Sequence, residues 1–468
     1  MKKIIEFEEK LQISKSYDLN CRKIIVLEKE IKIYFVTSLV DGLRSMEIVD
    51  NLLLLNESNE QYSFELIYNN INALDLDVAE DIDEMIDAVL SGMILICVEN
   101  YEKTIKVDVR NYPTRSVSEP EMEKVIRGSH DGFTETLNTN IGLLRRRVKD
   151  ERLRNKVFLI GDKSPVMVCF SYLEGIVKED ILNNALDRLK KVKTDTLIMA
   201  DKELEELLIK QRYNPYPLVR YTERADIVAV HLYQGMFGIF VDTSPCVMLA
   251  PCTAFDHFQH TEEYRQTPMS GSYLRILRFL GIFISLFLSP MYLLVNKYNI
   301  DIGILNSLIP KDEQVINIFI QIILAEIGVE FLRMASIHTP SALSTAMGLI
   351  AGVVLGEMAV KVGFFSYQTV LVVALSAIGT YATPSYELGL ANKISKLFFI
   401  LGTYLFGVYG FAIAVIVWLI MLANSKSFNK PYLYPLIPFD IKKIFKVLIR
   451  FPYKNKNWNS RKLEFFCN

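Results

Sequence analysis

The sequence predicts an α/β region followed by an α-helical membrane domain: two small cytosolic α/β modules, then four to five membrane helices, one of them re-entrant or bent. Three observations predict this. Up to about residue 270 short apolar runs alternate with charged helical stretches, the signature of strands and amphipathic helices. Beyond residue 275 charge-free stretches appear that, at 1.5 Å per helical residue, can cross the ~30 Å hydrocarbon core of a bilayer. Basic residues flank the apolar part, with Arg265, Arg275 and Arg278 before it and Lys426, Lys430, Lys442, Lys443, Lys446 and Arg450 after it, which puts both ends in the cytosol. At 468 residues and 51% apolar composition, the chain exceeds one ordinary domain and is greasy for a soluble one.

The first module, with a linking helix, is expected over residues 1–150. "KIIVLEKEIKIYFV" (23–36) gives two β-rich runs around a Glu-Lys-Glu turn, and "MILICVEN" followed by "TIKVDVRNYP" repeats the hairpin. After an exposed stretch from Pro113 to Pro120 comes "FTETLNTNIGLLRRRVKDERLR", in which Leu137, Ile141, Leu144 and Val148 recur at helical spacing. The second module, 151–270, reads as strands at "KVFLIG", "VMVCFSYL", "GMFGIFVD" and "PCVMLAP" and helices at "EDILNNALDRLKKV" and "DKELEELLIKQ". The N-terminus opens with two lysines, but acidic residues interrupt it before an apolar h-region develops, so no signal peptide is expected.

The membrane domain is expected over 271–425, with a basic cytosolic tail over 426–468. Stretches 279–296, 334–356 (His338 apart), 362–386 and 397–425 contain no Asp, Glu, Lys or Arg, while 314–331 is apolar but holds two glutamates. Two cytosolic ends require an even number of crossings, so either one of these five segments bends or re-enters, or the positive-inside reading fails at one end.

The ambiguous segment carries the candidate site. On a helix of 100° per residue Glu326, Glu330 and Arg333 fall within about 60° of one another, so they can pair at i, i+4 and i, i+3. Ionisable groups at membrane depth usually face a bundle interior or a water-filled path. Three readings stay open: an ion or substrate path, a buried structural ion pair, and an amphipathic helix at the interface. Gln314, Asn317 and Gln321 point roughly 130° or more away from the charged face, which favours a bend near Gly328 or burial in a bundle over one straight interfacial helix. Glu357 is a further acidic candidate near a path. Ser344, Gly348, Gly352 and Gly356, spaced by four, form a small-residue ridge for helix packing. Pro384 marks a helix break that either exposes carbonyls to a cavity or ends a helix in a plain turn.

Other chemistry is not supported. The formal charge of −2 gives no global pull toward nucleic acid or anionic lipid. The basic run "LLRRRVKDERLR" lacks interleaved aromatics and reads as a solvated helix end, so nucleic acid is not an expected partner. Six scattered cysteines suit reduced thiols rather than a disulfide scaffold. Cys246, Cys252, His257 and His260 form a C-x5-C-x4-H-x2-H array without the tight pairs of zinc sites, so neither metal nor cofactor is expected. No nucleotide-binding or hydrolase motif occurs, and the chain does not read as an enzyme.

Five stretches, "VIRGSHDGFTE" (125–135), "NIGLLRRRVKDERL" (140–153), "NPYPLVRYTERADIVA" (214–229), "HTPSALSTAMGLIAG" (338–352) and "TPSYELGLANK" (383–393), together resemble the A-subunit family of spore germinant receptors, the GerA family. "MADKELEELLIKQRYNPYPLVRYTERAD", "FIQIILAEIGVEFLRMASIHTP" and "NKPYLYPLIPFD" are similar to its sporulation branch. One departure stands at Ala225, where receptor A subunits usually have proline. The resemblance implies a homo-oligomeric, multi-pass protein of the cell or spore inner membrane that forms a channel for monovalent ions during germination. It implies other germination membrane proteins, a small membrane partner and membrane lipid as its contacts. An A subunit of a nutrient receptor and a non-conducting scaffold are the alternatives.

Overall fold

The computed structural model describes residues 2–58, 60–111, 131–209, 211, 213–299, 309–310, 315–338 and 352–451. Its soluble part is built twice on one plan. The first sheet contains β1 (Leu19–Val26), β2 (Lys29–Val36), β3 (Leu76–Ala79), β4 (Ile94–Val98) and β5 (Thr104–Val107), in the order β1-β2-β4-β5-β3. The second contains β6 (Leu153–Ile160), β7 (Val166–Leu173), β8 (Arg220–Thr222), β9 (Phe237–Val241) and β10 (Val247–Ala250), in the order β6-β7-β9-β10-β8. Each of these pairings is antiparallel. In both, an opening hairpin is followed by helices, the third strand goes to the far edge, and a closing hairpin fills the gap.

The first hairpin turns at Leu27 and Glu28, both at positive φ, as a two-residue loop requires to match strand twist. Around the first sheet pack α1 (Lys2–Leu11), α2 (Gly42–Leu54), α3 (Phe64–Asn69) and α4 (Ile82–Leu90). Next comes α5 (Leu137–Arg147), where the sequence reading needs correction. Leu137, Ile141, Leu144 and Val148 pack with Cys169, Phe240 and Leu249 of the second sheet. The helix belongs by packing to the second module, and it stops at Arg147 because Leu153 onward is committed to β6. The second sheet adds α6 (Glu179–Lys190), α7 (Ala200–Leu208) and α8 (Ala225–Tyr233). Between the sheets, Asp18 is buried against Arg145 and Asn155.

Short α9 (Thr261–Arg265) leads into α10 (Pro268–Tyr298), whose 31 residues span about 46 Å. There follow α11 (Ile318–His338), a π-helical turn (Gly352–Met358) running into α12 (Ala359–Lys361), α13 (Tyr367–Tyr381), α14 (Tyr386–Asn424) and α15 (Ile441–Leu448). Among the described residues two helices, α10 and α14, are long and apolar enough to cross a membrane, where four to five were expected. Two of the expected segments fall short for physical reasons, since α11 carries three charges and α13 has only 15 residues; most of 334–356 lies outside the described residues.

The bend expected in one segment falls in α14. At Gly407 the backbone takes φ 63°, ψ −136°, and the helix doubles back. Phe399 lies 5.7 Å from Trp418, whereas 19 residues of straight helix would separate them by about 28 Å. The two arms touch at Gly402 and Gly410, where a Cβ on Gly410 would collide with the Gly402 carbonyl. The hairpin tip meets the end of α10: Lys297 Nζ donates to Tyr404 O at 2.7 Å, and Phe319 stacks on Tyr404 at 3.9 Å. The opposite end of the hairpin enters the second module. Leu388, Ala391, Leu422, Phe428 and Tyr432 share one core with Phe170, Phe237 and Met248.

Candidate functional site

The charges of α11 are met by charges on α14. Glu326 and Glu330 stand one turn apart on α11, and Lys393 and Lys396 stand at i, i+3 on the first arm of α14, so the two rows can face each other. Glu326 is 8% exposed and Lys396 1%. Lys396 Nζ donates to Glu326 Oε1 at 2.7 Å, Glu326 Oε2 at 2.6 Å and Ser376 Oγ of α13 at 3.0 Å, which uses all three ammonium protons. Ser289 Oγ of α10 donates to Glu326 Oε1 at 3.2 Å. Four helices are therefore joined at one pair, and serine at 289 and 376 supplies hydroxyls small enough to admit the two longer side chains.

One turn nearer the soluble modules, Glu330 accepts from Arg333 Nη2 at 2.6 Å and Nε at 3.1 Å. It also accepts from Lys393, and Arg333 lies over the Tyr386 ring at 4.8 Å. Two carboxylates thus face three cations, leaving one net positive charge in the layer. Of the polar stripe on the other side of α11, Gln314 lies outside the described residues and Asn317 is exposed. Gln321 is fully buried, donating to Ile316 O at 2.8 Å and accepting from Ser366 N at 2.9 Å. Burial among neighbours accounts for Gln321 and Glu326, and α11 runs through Gly328 as one helix.

The remaining sequence candidates that fall among the described residues do not join this layer. Glu357 sits on the π-helical turn, 60% exposed, paired with Lys361 at 2.6 Å. Of the proposed ridge, Ser344 and Gly348 lie outside the described residues, and among the described residues a Cβ on Gly352 would meet nothing within 4 Å; Gly356 lies in the π-helical turn. Close helix approach occurs instead at Gly281 against Gly379 and at Gly402 against Gly410. Pro384 lies in the link between α13 and α14, with Ser385 capping the new helix through Leu388 N, so it ends a helix in a turn. The chain reversal belongs to Gly407, one of three glycines within "LGTYLFGVYGF". Lys393 and Lys396 were also missed, although their spacing of three, like the glutamates' spacing of four, puts both on one helix face.

In the second module Cys252 Sγ contacts His257 Nε2 at 3.3 Å, Cys246 sits 3.9 Å from Glu223, and His260 accepts from Glu262 N. The array does not converge. Burial pushes the Cys252 thiol well above its ordinary range.

Residues 6–462 match the family described as Bacillus/Clostridium GerA spore germination protein. The chain belongs to the GerA family. It is 43% identical over 447 residues to Stage V sporulation protein AF of Bacillus subtilis (strain 168), covering 95% of this chain and 91% of that one. It is 29% identical to Spore germination protein A1 of the same organism, covering 91% and 88%. Among solved structures, the N-terminal domain of the A subunit of the Bacillus megaterium spore germinant receptor GerK3 covers 53% of this chain and 92% of its own, at 24% identity and a TM-score of 0.40. The sporulation-branch resemblance thus extends along nearly the whole chain, and GerA proteins are not enzymes. At the one departure noted above, Ala225 is the first residue of α8, a position whose N–H needs no intrahelical partner and where proline is also accepted. Alanine there leaves the helix start intact. This GerA protein is membrane-associated, with a soluble N-terminal region preceding its candidate membrane helices.

Proposed function

We propose that this chain is an A-type subunit of a spore germination complex, seated in the spore inner membrane and working with other germination membrane proteins. The observation that carries the reading is the end-to-end likeness to curated spore germination A proteins, of which the relative from Bacillus cereus named GerLA is 30% identical over 373 residues. The single core shared by the second module and both ends of the α14 hairpin supports it, because it ties a cytosolic module rigidly to the bundle. Purification from spore membranes, followed by identification of co-purifying subunits, tests it. Recovery of a germinant-binding partner supports the A-subunit role, and a chain recovered with no germination protein counts against it.

A second reading is that several copies assemble into a channel for monovalent ions. Charged groups in a membrane bundle favour it, but Glu326 and Lys396 close on each other within one protomer, so in this reading the path runs between copies. Glu326, Glu330 and Arg333 then hold the helices that border it. Reconstitution into liposomes, with and without membrane partners, should give cation flux from an oligomer of defined mass. Absence of flux under every partner condition, despite correct insertion, would leave a non-conducting subunit or scaffold.

A further inference from the structure

The bundle leaves one short helix docked by its backbone while its apolar face is uncovered. In α15, "IKKIFKVL", Ile441, Phe445 and Leu448 recur at i, i+4 and i+7 on one face. Lys443 and Lys446 lie on the opposite side and Lys442 flanks it, the three centred about 140° away by the same helical arithmetic. Ile441 is 55% exposed and Phe445 53%, and none of the eight residues is buried. The turn before the helix adds Leu436, Ile437 and Phe439, also exposed.

The helix is nevertheless fixed in place. Arg275 Nη1 donates to the carbonyls of Lys446 and Val447 at 3.1 and 3.0 Å, and buried Glu263 holds the same guanidinium at 2.8 Å. Arg450 donates to Tyr264 O at 2.8 Å and, through its N–H, to Ser272 Oγ at 3.0 Å. These clamps put α15 at the level of Ser272 and Arg275, one turn before the charge-free run of α10 opens at Phe279. From that level the exposed apolar surface continues along α10 through Ile276, Leu280 and Phe283.

We propose that α15 lies in the headgroup plane of the membrane, its apolar face among the upper acyl chains and its lysines on anionic phospholipid. The proposal rests on the membrane reading of α10 and adds the surface on which the cytosolic end of the molecule rests. A helix with a strong apolar face, three lysines beside and opposite it and a fixed position beside the entry of a spanning helix meets the requirements of an interfacial anchor. Continuity with the exposed face of α10 selects lipid over a second copy of the chain.

The test uses the full-length protein in vesicles of phosphatidylcholine with or without phosphatidylglycerol, carrying the photo-crosslinker p-benzoylphenylalanine in place of Phe445, Lys442 or Phe283 in turn. Lipid adducts at positions 445 and 283, with few at 442, are expected. Phosphatidylglycerol should be enriched several-fold among the 445 adducts relative to the bulk bilayer, and Lys442→Gln with Lys446→Gln should return that share to the bulk value. Protein adducts at 445, or none while 283 labels lipid, would overturn the placement, and adducts in bulk proportion would overturn the headgroup preference. Failure at 283 as well would instead reject the membrane reading of α10.

Discussion

The Asp18–Arg145 pair between the two sheets and the Glu326–Lys396 pair in the helical bundle are both withdrawn from water, yet they are held differently. Asp18 accepts from Arg145 Nε at 2.8 Å, Asn155 Nδ2 at 3.0 Å and Ser16 Oγ at 2.7 Å, and Arg145 also donates to two carbonyls. Burial pushes the Asp18 carboxyl up, but the guanidinium and the other donors outweigh it and hold the group below its ordinary value. Glu326 has one ammonium and one hydroxyl. Redundant donors make the soluble junction tolerant of losing one partner. At Glu326 a single lysine carries the compensation, so that pair has one point of failure.

The largest effect should follow from removing that point. Lys396→Met strands Glu326 and should cost about 3–5 kcal/mol, as expected for an uncompensated buried charge. Adding Glu326→Met should recover most of it, because apolar replacements of whole buried pairs are often neutral. Denaturant unfolding in micelles reads both, and a single variant as stable as the parent would break the comparison. Next in size is Gly410→Leu, which drives a side chain into the Gly402 carbonyl and should cost about 1–3 kcal/mol or more through overpacking.

The pH response sharpens the soluble side. Because the folded carboxyl of Asp18 lies below its unfolded value of ~3.9, its contribution is fully present above that value and is lost as pH falls through the folded one. Asp18→Asn should lower stability near neutrality and flatten the acid limb, read by hydrogen exchange at the Tyr17 and Asn155 amides. The smallest effect is expected at Glu357, whose exposed pair with Lys361 resembles surface pairs of little net worth. Glu357→Gln should leave the unfolding midpoint unchanged.

Period and composition made the first-order features readable. The hairpins at 23–36 and 94–107 follow from alternation and β-branched residues, and Glu326, Glu330 and Arg333 stand out because charge is rare in such apolar surroundings. What stayed hidden depended on distant contacts. Nothing local says that Lys396, 70 positions from Glu326, is its partner, and an apolar run opening at Leu397 concealed it. Gly407 reads as one more glycine in a membrane helix, since sequence does not display the sign of φ. The same limit misplaced α5: its apolar spacing was legible, but which sheet it would cover was not.

The tie between the second sheet and the chain that follows the hairpin sets an order on biosynthesis. Phe428 packs edge-on against Phe237 at 5.1 Å, Tyr432 O accepts from Ala254 N at 2.9 Å, and Ser427 Oγ donates to Leu218 O at 2.6 Å. These groups leave the ribosome only after α10 to α14, so the second module stays unfinished until the hairpin has returned to its own side. A chain threaded the wrong way round would strand Phe428 and Tyr432 away from the second module and leave a gap in its core. Completion of that core therefore reports correct topology, and a protease added during synthesis would find the module cleavable until residue 432 has emerged.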